Sequence, residues 1–345
     1  MKRILITGTN GYIGTHLQQY LEAWPAQYAP VRISVADASW KSWDFSAFDA
    51  VVHAAGLVHR RERPEDAALF TRVNRDLTAA LGEKAKGDGV GQFVFLSTMA
   101  VYGLDSGEIT PQTQPAPTTL YGKSKLAGEQ ALEALRSPDF SVAILRLPMV
   151  YGRACPGNFR RLQRFVAGSP VFPDVPNQRS MLSVTNLCAF LRLILDGRCD
   201  GVYFPQNREY VSTTRLAELL AQGWGRPFRP SKVASWAVRG AMPFVPAVRK
   251  AFGSLVIGIQ RFLTFAIAQK HWRNRWQAVL RLPQKMERQG MRNAGRPRSD
   301  FCLAAENAGD PAVFPKLLPG KRAVFYPLRR HLSGCGAARR LYPLG

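Results

Sequence analysis

The sequence predicts an α/β fold in which a doubly wound parallel sheet is followed by a smaller C-terminal lobe. Over the first 150 residues, short apolar runs alternate with amphipathic stretches, a pattern typical of βαβ units. After about residue 151, glycine, proline and asparagine accumulate and the amphipathic stretches become shorter, which indicates a second lobe. The chain has 345 residues, 46% of them hydrophobic, which is enough to bury a substantial core.

Each predicted strand is a short run of Val, Ile, Leu or Phe. Strands are expected at residues 3–7, 31–35, 50–52, 92–97 and 141–147, and Pro148 ends the last because proline has no N–H for a neighbouring strand. Helices are expected at 14–21, 64–86 and 121–137, and in the second lobe at 186–195 and 213–222. We expect some second-lobe segments to return to the first sheet. The predicted boundaries are 1–150 for the sheet domain, 151–257 for the second lobe and 258–345 for a C-terminal extension.

The net charge of +23 is concentrated towards the C-terminus. Residues 258–345 contain 17 Lys and Arg against 4 Asp and Glu, whereas residues 1–257 contain 30 against 20. We interpret 258–345 as a poorly ordered extension or the product of a shifted reading frame. A folded cap and a segment that binds anionic polymer or membrane are the alternatives. The apolar run at 251–268 is interrupted by Gln260 and Arg261, which disfavours a membrane-spanning helix.

Cysteine usage and the N-terminal residues indicate an intracellular protein. Cys155, Cys188, Cys199, Cys302 and Cys335 are too scattered for a disulfide framework, and no Cys-x-x-Cys pair suggests zinc. The apolar run at the N-terminus is too short for the core of a signal peptide. We therefore expect reduced thiols, no bound metal and a cytoplasmic location.

A glycine-rich turn follows the first predicted strand. The segment TGTNGYIG places Gly8, Gly11 and Gly14 between that strand and a helix. Small residues let the backbone approach a pyrophosphate, and the helix N-terminus supplies free N–H groups and partial positive charge. We therefore predict a Rossmann-type dinucleotide site here. The alternative is a turn that serves helix–strand packing alone.

An acidic residue after the second strand commonly binds the adenosine ribose of such a dinucleotide. Asp37 is the candidate, Ser34 lies nearer the strand end, and Asp44 is placed to serve the adenine side. Each carboxylate is equally explained as a solvated loop residue. The choice between NAD and NADP therefore stays open, with NAD favoured.

A tyrosine and a lysine share one face of a predicted helix. The segment YGKSK places Tyr121 and Lys125 four residues apart, whereas Lys123 points elsewhere. A nearby ammonium favours the phenolate of a tyrosine, so Tyr121 is suited to accept or return a hydroxyl proton, and Lys125 to hold a ribose. Ser97 and Thr98 end the fourth strand, at the sheet edge where ligands bind, and are placed to hydrogen-bond the reacting oxygen.

In order and spacing, these motifs resemble those of the extended short-chain dehydrogenase/reductases, in the NAD-dependent epimerase/dehydratase group that acts on nucleotide sugars. The matching segments, which span roughly the first 255 residues, are TGTNGYIG, DAVVHAAG, VNRDLTAAL, FLSTMAVYG, YGKSK, LRLPMVYG and RSMLSVTNL. Within the group, the chain is similar to relatives of UDP-glucose 4-epimerase from bacterial polysaccharide clusters.

The resemblance implies roles for the matching residues. Thr98 would hydrogen-bond the sugar O4, Tyr121 would be the catalytic base and Lys125 its partner. Together with Asp37, the residues expected to bind the cofactor are Gly8, Gly11, Tyr12, Ile13, Gly14, His53, Ala54, Ala55, Asn74, Ser97, Tyr121 and Lys125. The substrate would contact Thr98, Asn158 and Arg179, the last at the UDP phosphates. The alternatives are a turn residue for Asn158, a surface charge for Arg179 and a polar filler for His53.

The chain also departs from the family pattern. Met149 stands where galactose-type epimerases carry asparagine, Thr185-Asn186 replaces a usual acidic pair, and residues 258–345 do not resemble the family's usual end. Placement of the sugar should therefore differ from that in the galactose-type enzymes.

The function implied is that of an NAD-dependent UDP-hexose 4-epimerase that works through a 4-keto intermediate. Two alternatives stay open: an NAD(P)H-dependent reductase of a 4-keto-6-deoxy nucleotide sugar, and a non-catalytic dinucleotide-binding protein with a basic interaction tail. The expected partners are a UDP-sugar substrate and a second copy of the chain in a homodimer. Neither nucleic acid nor membrane contact is expected.

Overall fold

A sheet of parallel strands forms the centre of the fold. The computed structural model describes residues 1–258 except 59, 61 and 111, so the interpretation of the C-terminal extension falls outside the described part of the chain. The strands described are β1 (Lys2–Thr7), β2 (Tyr28–Ile33), β3 (Ala50–His53), β4 (Gln92–Thr98), β5 (Gly107–Ile109), β6 (Ser141–Leu147), β7 (Met149–Tyr151), β8 (Val171–Pro173), β9 (Met181–Ser183), β10 (Gly201–Tyr203), β11 (Arg229–Ser231) and β12 (Leu255–Ile257).

Helices connect these strands and cover the sheet. They are α1 (Tyr12–Glu22), α2 (Ala67–Thr71), α3 (Leu77–Gly87), α4 (Leu120–Leu135), α5 (Asn158–Gly168), α6 (Val184–Asp196), α7 (Thr213–Gly223), α8 (Lys232–Ala241) and α9 (Pro246–Phe252). The single helix expected at 64–86 is instead a 3₁₀ turn at Pro64–Asp66, then α2, a π-helical turn at Arg72–Asp76, and α3. The π-helical turn contains Asn74, whose side chain bonds to neighbouring segments.

The sheet has the doubly wound topology that the sequence predicts. Its strand order is β10-β6-β4-β3-β1-β2, and all neighbours are parallel. Because the strands are parallel, the carboxyl ends of β1, β3 and β4 lie at one edge of the sheet. The chain runs outward from β1 in both directions, and such sheets bind ligands at the carboxyl edge beside this reversal. The second strand lies at Tyr28–Ile33, rather than at 31–35, because its residues pair in register with β1 from Lys2 onward.

Alternating side chains of the strands enter two hydrophobic cores. Ile4 and Ile6 of β1 pack on one face of the sheet with residues of α1 and α6, including Leu17 and Leu187. Leu5 points to the other face, where α3 and α4 contribute their own apolar residues. The apolar periodicity of the sequence thus determines which helix covers which face.

The chain after β7 divides its elements between the sheet and a second lobe. The helix α6 packs against α1, and β10 pairs with β6, as expected for segments that return to the first sheet. The second lobe, as we use the term below, comprises α5, β8, α7, β11 and α8, and its core includes Phe159, Phe172, Leu216 and Leu220. Among the described residues, no helix combines the length and the apolar character needed to traverse a bilayer.

Candidate active site

The glycine-rich turn joins β1 to α1 at the carboxyl edge of the sheet. Gly8 has a φ of +95°, in the left-handed region that favours glycine, and its N–H donates to the carbonyl of Ile33 at 2.8 Å. Helix α1 begins at Tyr12, after Gly11, and no side chain caps its N-terminus. The first backbone N–H groups of α1, with the positive end of the helix dipole, can therefore bind an anion.

Arg32, which the sequence analysis did not single out, braces this turn. Its guanidinium donates to the carbonyl of Thr9 and to Thr15 Oγ1, each at 2.7 Å. Asp37 lies four residues beyond the end of β2, exposed to solvent, where its carboxylate accepts the N–H of Ser39. The side chain of Ser39, and then its backbone N–H, lower the pKa of Asp37. Its role towards a ribose stays a prediction.

His53, at the end of β3, is buried and links β1 to α3 through its ring nitrogens. Its Nδ1 lies 2.7 Å from Thr7 Oγ1 and its Nε2 lies 3.0 Å from Thr78 Oγ1, and its ring stacks on Phe95. Burial lowers the pKa of His53 to about 3, with the charge of Lys125 acting in the same direction, so the ring is neutral. Both ring nitrogens of His53 are already hydrogen-bonded to protein hydroxyls. A cofactor at this edge would therefore contact the backbone of the following residues, Ala54 and Ala55, rather than the His53 ring.

Tyr121 and Thr98 come together at the carboxyl end of β4. The N-terminus of α4 packs against the turn after β4, and the Thr98 side chain lies near enough to the Tyr121 phenol to influence its pKa. Thr98 is the last residue of β4, and its Oγ1 accepts the N–H of Ala100 at 3.1 Å. The structure therefore brings Tyr121 and Thr98 to the same edge of the sheet, and their catalytic roles stay predictions.

The N-terminus of α4 is held by two side chains. Thr119 Oγ1 accepts the N–H of Gly122 at 3.0 Å, the usual bond of an N-cap. The carboxylate of Glu62 accepts the N–H groups of Leu120 at 2.8 Å and Tyr121 at 3.2 Å. Glu62 was missed by sequence reasoning because it is 58 residues away from Leu120 along the chain.

Lys125 is buried, and its ammonium points towards the carboxyl end of β3. Its Nζ lies 3.9 Å from the ring centroid of Phe95, and a Cβ on Gly56 would be 4.0 Å from it. Within the described part of the chain, no hydrogen-bond acceptor contacts this Nζ. Burial lowers the pKa of Lys125 to about 7, while the carboxylate of Glu129 acts in the opposite direction. Lys123, which the spacing places on another side of the helix, is exposed.

The expectation that Lys125 lowers the pKa of Tyr121 is not met in the structure. Burial raises the pKa of Tyr121 to about 12, and the nearby side chain of Thr98 opposes this rise. The reason is geometric: the Lys125 ammonium is directed to Phe95 and Gly56, and its own charge is weakened by burial. In the protein without ligands, therefore, Tyr121 is a protonated phenol.

Behind this pair lies a buried polar network that joins three elements. Ser97 of β4 donates to Glu129 of α4, whose carboxylate forms an ion pair with Arg146 of β6 at 2.7 Å. Arg146 also donates to the hydroxyl of Tyr102 at 2.7 Å. Ser97 thus points away from the reacting oxygen expected from the sequence and into this network.

Asn74 ties the loop after β3 to α4. Its Oδ1 accepts the N–H of Leu57 at 2.8 Å, and its Nδ2 donates to Ser124 Oγ at 3.0 Å. Its side-chain amide is thus occupied by protein groups, and its expected contact with the cofactor stays a prediction.

These residues fit a bound dinucleotide. The turn at Gly8 offers an uncapped helix N-terminus for the pyrophosphate, and the Lys125 ammonium is buried at the same edge with no acceptor among the residues that the structure describes. A family model described as "NAD dependent epimerase/dehydratase family" matches residues 4–196, more than half of the chain. The chain belongs to this family. It is accordingly an NAD(P)-dependent enzyme of the epimerase/dehydratase type.

Individual relatives in this family differ in their reactions. The chain is 29% identical to a UDP-glucose 4-epimerase of Vibrio cholerae over 69% of its own length and 80% of that protein. It is also 29% identical to a GDP-6-deoxy-D-mannose reductase of Pseudomonas aeruginosa, over 64% of its length and 79% of that protein. A crystal structure of a UDP-glucuronic acid 4-epimerase from Bacillus cereus in complex with NAD shares the fold, with a TM-score of 0.63 at 19% identity, and covers 83% of this chain and 99% of that one.

Two residues expected at the substrate of an epimerase/dehydratase lie apart from this pair. Asn158 is exposed at the first position of α5, directly after Gly157. Arg179 is half-buried, its backbone pairs with Val211, and its guanidinium donates to the carbonyl of Gly253 at 2.7 Å. No hydrogen bond joins either residue to Tyr121 or Lys125 in the part of the chain that the structure describes. Their contacts with substrate stay predictions.

Proposed function

We propose that the protein is a nucleotide-sugar 4-epimerase that acts on a UDP-hexose through a 4-keto intermediate. The observation that carries the proposal is the close packing of α4 on the turn after β4, which places Tyr121 beside Thr98 at the carboxyl edge of the sheet, with Lys125 one helical turn further along α4. The Vibrio relative, named as a UDP-glucose 4-epimerase, supports the same reaction and nucleotide.

The side chains divide the proton chemistry between them. Tyr121 accepts the proton of the sugar 4-hydroxyl as C4 becomes a carbonyl, and returns it when the 4-keto sugar has turned over. Thr98 hydrogen-bonds O4 and keeps it in line with the phenol. NAD, when bound, supplies the hydride acceptor and donor for C4. Glu62 and Thr119 hold the end of α4 so that the phenol stays at the edge of β4.

Burial raises the pKa of Tyr121 in the unliganded protein, and this pKa must fall before the phenol can act as a base. Lys125 is suited to assist because its ammonium lacks an acceptor and because a ribose hydroxyl placed between it and the phenol would link the two groups. A positively charged nicotinamide ring beside the phenol would favour the phenolate further.

The substitution Tyr121→Phe tests the proposal. It removes one hydroxyl and keeps the ring, so the fold should persist while epimerisation of the matching UDP-sugar falls by about 10²–10⁴-fold. Tyr20→Phe, on α1, is the matched control and should retain activity. Turnover of a panel of UDP-sugars, read by product separation without added cofactor, gives the measurement. Equal turnover by Tyr121→Phe and the parent protein would contradict the proposal and favour a non-catalytic role.

A second candidate is reduction of a 4-keto-6-deoxy nucleotide sugar, favoured by the Pseudomonas relative named as a reductase. The same residues serve it, with Tyr121 donating its proton once to the oxygen at C4. Consumption of added NADPH with a 4-keto nucleotide sugar, and no interconversion of UDP-hexoses, would select this candidate over the epimerase.

A further inference from the structure

The net positive charge of residues 1–258 lies in residues 151–258. Residues 1–150 contain 15 Lys and Arg against 15 Asp and Glu, whereas residues 151–258 contain 15 against 5. From residue 219 to 258 the chain has no acidic residue. Six cations lie in that stretch: Arg226, Arg229, Lys232, Arg239, Arg249 and Lys250. Residues 1–150 are therefore neutral in net charge, and residues 151–258, which contain the second lobe, are strongly basic.

The helix α8 of this lobe carries large apolar side chains on its outer side. Val233 is 79% exposed, Trp236 is 81% exposed, and Phe244, just after the turn that ends the helix, is 83% exposed. Spacings of three and four residues place Val233, Trp236, Ala237 and Gly240 on one side of α8. We call these four residues together with Phe244 the α8 face.

The inner side of α8 is attached to the lobe by a polar contact. Ser235 is buried, accepts the N–H of Asp174 at 2.7 Å and donates to the carbonyl of Ser231 at 2.6 Å. The helix therefore has a fixed orientation, and the α8 face is directed outward by that attachment.

Cations border the α8 face. Lys232 and Arg239 are exposed on α8 itself, and no carboxylate of the described residues lies within ion-pair distance of either one. Arg249, by contrast, is paired with Asp105 at 3.3 Å. An exposed tryptophan and phenylalanine flanked by unpaired cations is a pattern of interfacial helices, which place aromatic rings at the headgroup level and cations against anionic lipid.

We propose that the α8 face docks on the surface of an anionic lipid bilayer. The positive charge beside the α8 face favours a bilayer over a second copy of the chain or over residues 259–345. A second copy that met the α8 face symmetrically would oppose Lys232 and Arg239 with the same cations, and no acidic residue lies between 219 and 258 to offset them. Residues 259–345 also carry an excess of positive charge, so the cations beside the α8 face would repel them too. An anionic bilayer matches both the charge and the apolar side chains.

The contact is peripheral and needs no spanning helix. It departs from the expectation that the chain makes no membrane contact, whereas the argument from the apolar run at 251–268 concerned a membrane-spanning helix alone. It goes beyond the proposed function, since it concerns where the enzyme works, and it holds whether the reaction is epimerisation or reduction.

Vesicle binding by the full chain tests the proposal. The parent protein should sediment with phosphatidylcholine vesicles that contain phosphatidylglycerol, and more weakly with phosphatidylcholine alone. The double variant Trp236→Ser/Phe244→Ser keeps every charge, and its partition coefficient should fall by about tenfold or more. Trp43→Ser removes an exposed tryptophan from the neutral domain and should bind as the parent does. Because the readout is binding, failure of the proposed reaction would not affect it.

Three results would overturn the proposal. Equal vesicle binding by the double variant and the parent would assign binding to charges elsewhere. Absence of vesicle binding, with a dimer that the double variant converts to a monomer, would make the α8 face an interface between copies. Absence of vesicle binding with an unchanged mass would leave the face without a lipid partner. Unchanged thermal unfolding of the double variant serves as the control for folding.

Discussion

Burial of the Lys125 ammonium lowers the stability of the fold, but the proposed reaction needs this group. The folded protein buries its ammonium over the ring of Phe95, without an acceptor among the described residues, and burial lowers its pKa to about 7. The unfolded chain keeps this proton up to its ordinary pKa of 10.5. Between these pH values the unfolded state binds more protons, so this residue makes stability rise with pH. A group this costly to bury is expected where a ligand uses it.

Replacement of Lys125 by methionine should therefore stabilise the protein and inactivate it. We expect Lys125→Met to unfold at a higher temperature than the parent at pH 7, and the difference to narrow as the pH approaches 10.5. Turnover should fall by at least about tenfold because a bound ribose hydroxyl would lose the ammonium that links it to the proton transfer at the phenol. Thermal unfolding at pH 7 and pH 10, together with turnover, gives the measurement.

Lys123→Met supplies the matched control, since Lys123 lies on the same helix but is exposed. It should follow the parent in both stability and turnover. If Lys125→Met were less stable than the parent at pH 7, the ammonium would be favourably bound in the fold and the argument from burial would be wrong.

At the scale of elements, α4 must lie very close to the turn that follows β4. A Cβ on Gly122 would be 2.5 Å from the carbonyl oxygen of Ala100, nearer than atoms can approach. Gly122→Ala must therefore push α4 outward and separate Tyr121 from Thr98. We expect kcat to fall by about tenfold to a hundredfold, since displacements of about 1 Å can cost that much.

The control for this substitution is Gly87→Ala at the end of α3, where a Cβ would meet nothing within 4 Å. It should leave kcat unchanged and should not lower the unfolding temperature. Circular dichroism establishes that both variants are folded, and steady-state kinetics gives kcat. An unchanged kcat for Gly122→Ala would show that the position of α4 does not limit the chemistry.

The same elements show what the sequence could and could not predict. The strands, and the faces of the helices that cover them, could be predicted because Ile4, Leu5 and Ile6 alternate between the two cores. Tyr121 and Lys125 could be found because their spacing is local. Glu62 could not, because its bonds to α4 depend on a loop returning across the sheet edge. The high pKa of Tyr121 likewise depends on burial, which four-residue spacing does not reveal.

At the scale of the whole molecule, charge separates the two ligand sites. The dinucleotide turn lies in a domain with balanced charge, whereas the expected substrate contacts, Asn158 and Arg179, lie in the basic second half. A field of one sign raises the association rate of an oppositely charged ligand and is screened by salt. The two sites should therefore respond differently to ionic strength, even for ligands of equal charge.

UDP-glucose and ADP-ribose are suitable probes because each carries two negative charges on one pyrophosphate. Between roughly 50 and 300 mM salt, the association rate constant of UDP-glucose should fall several-fold, and that of ADP-ribose should fall less. Stopped-flow measurements of binding to the full chain give both rates. Equal salt dependence would show that the basic second half does not steer the substrate, whereas a steeper dependence for ADP-ribose would place the stronger positive field at the glycine-rich turn.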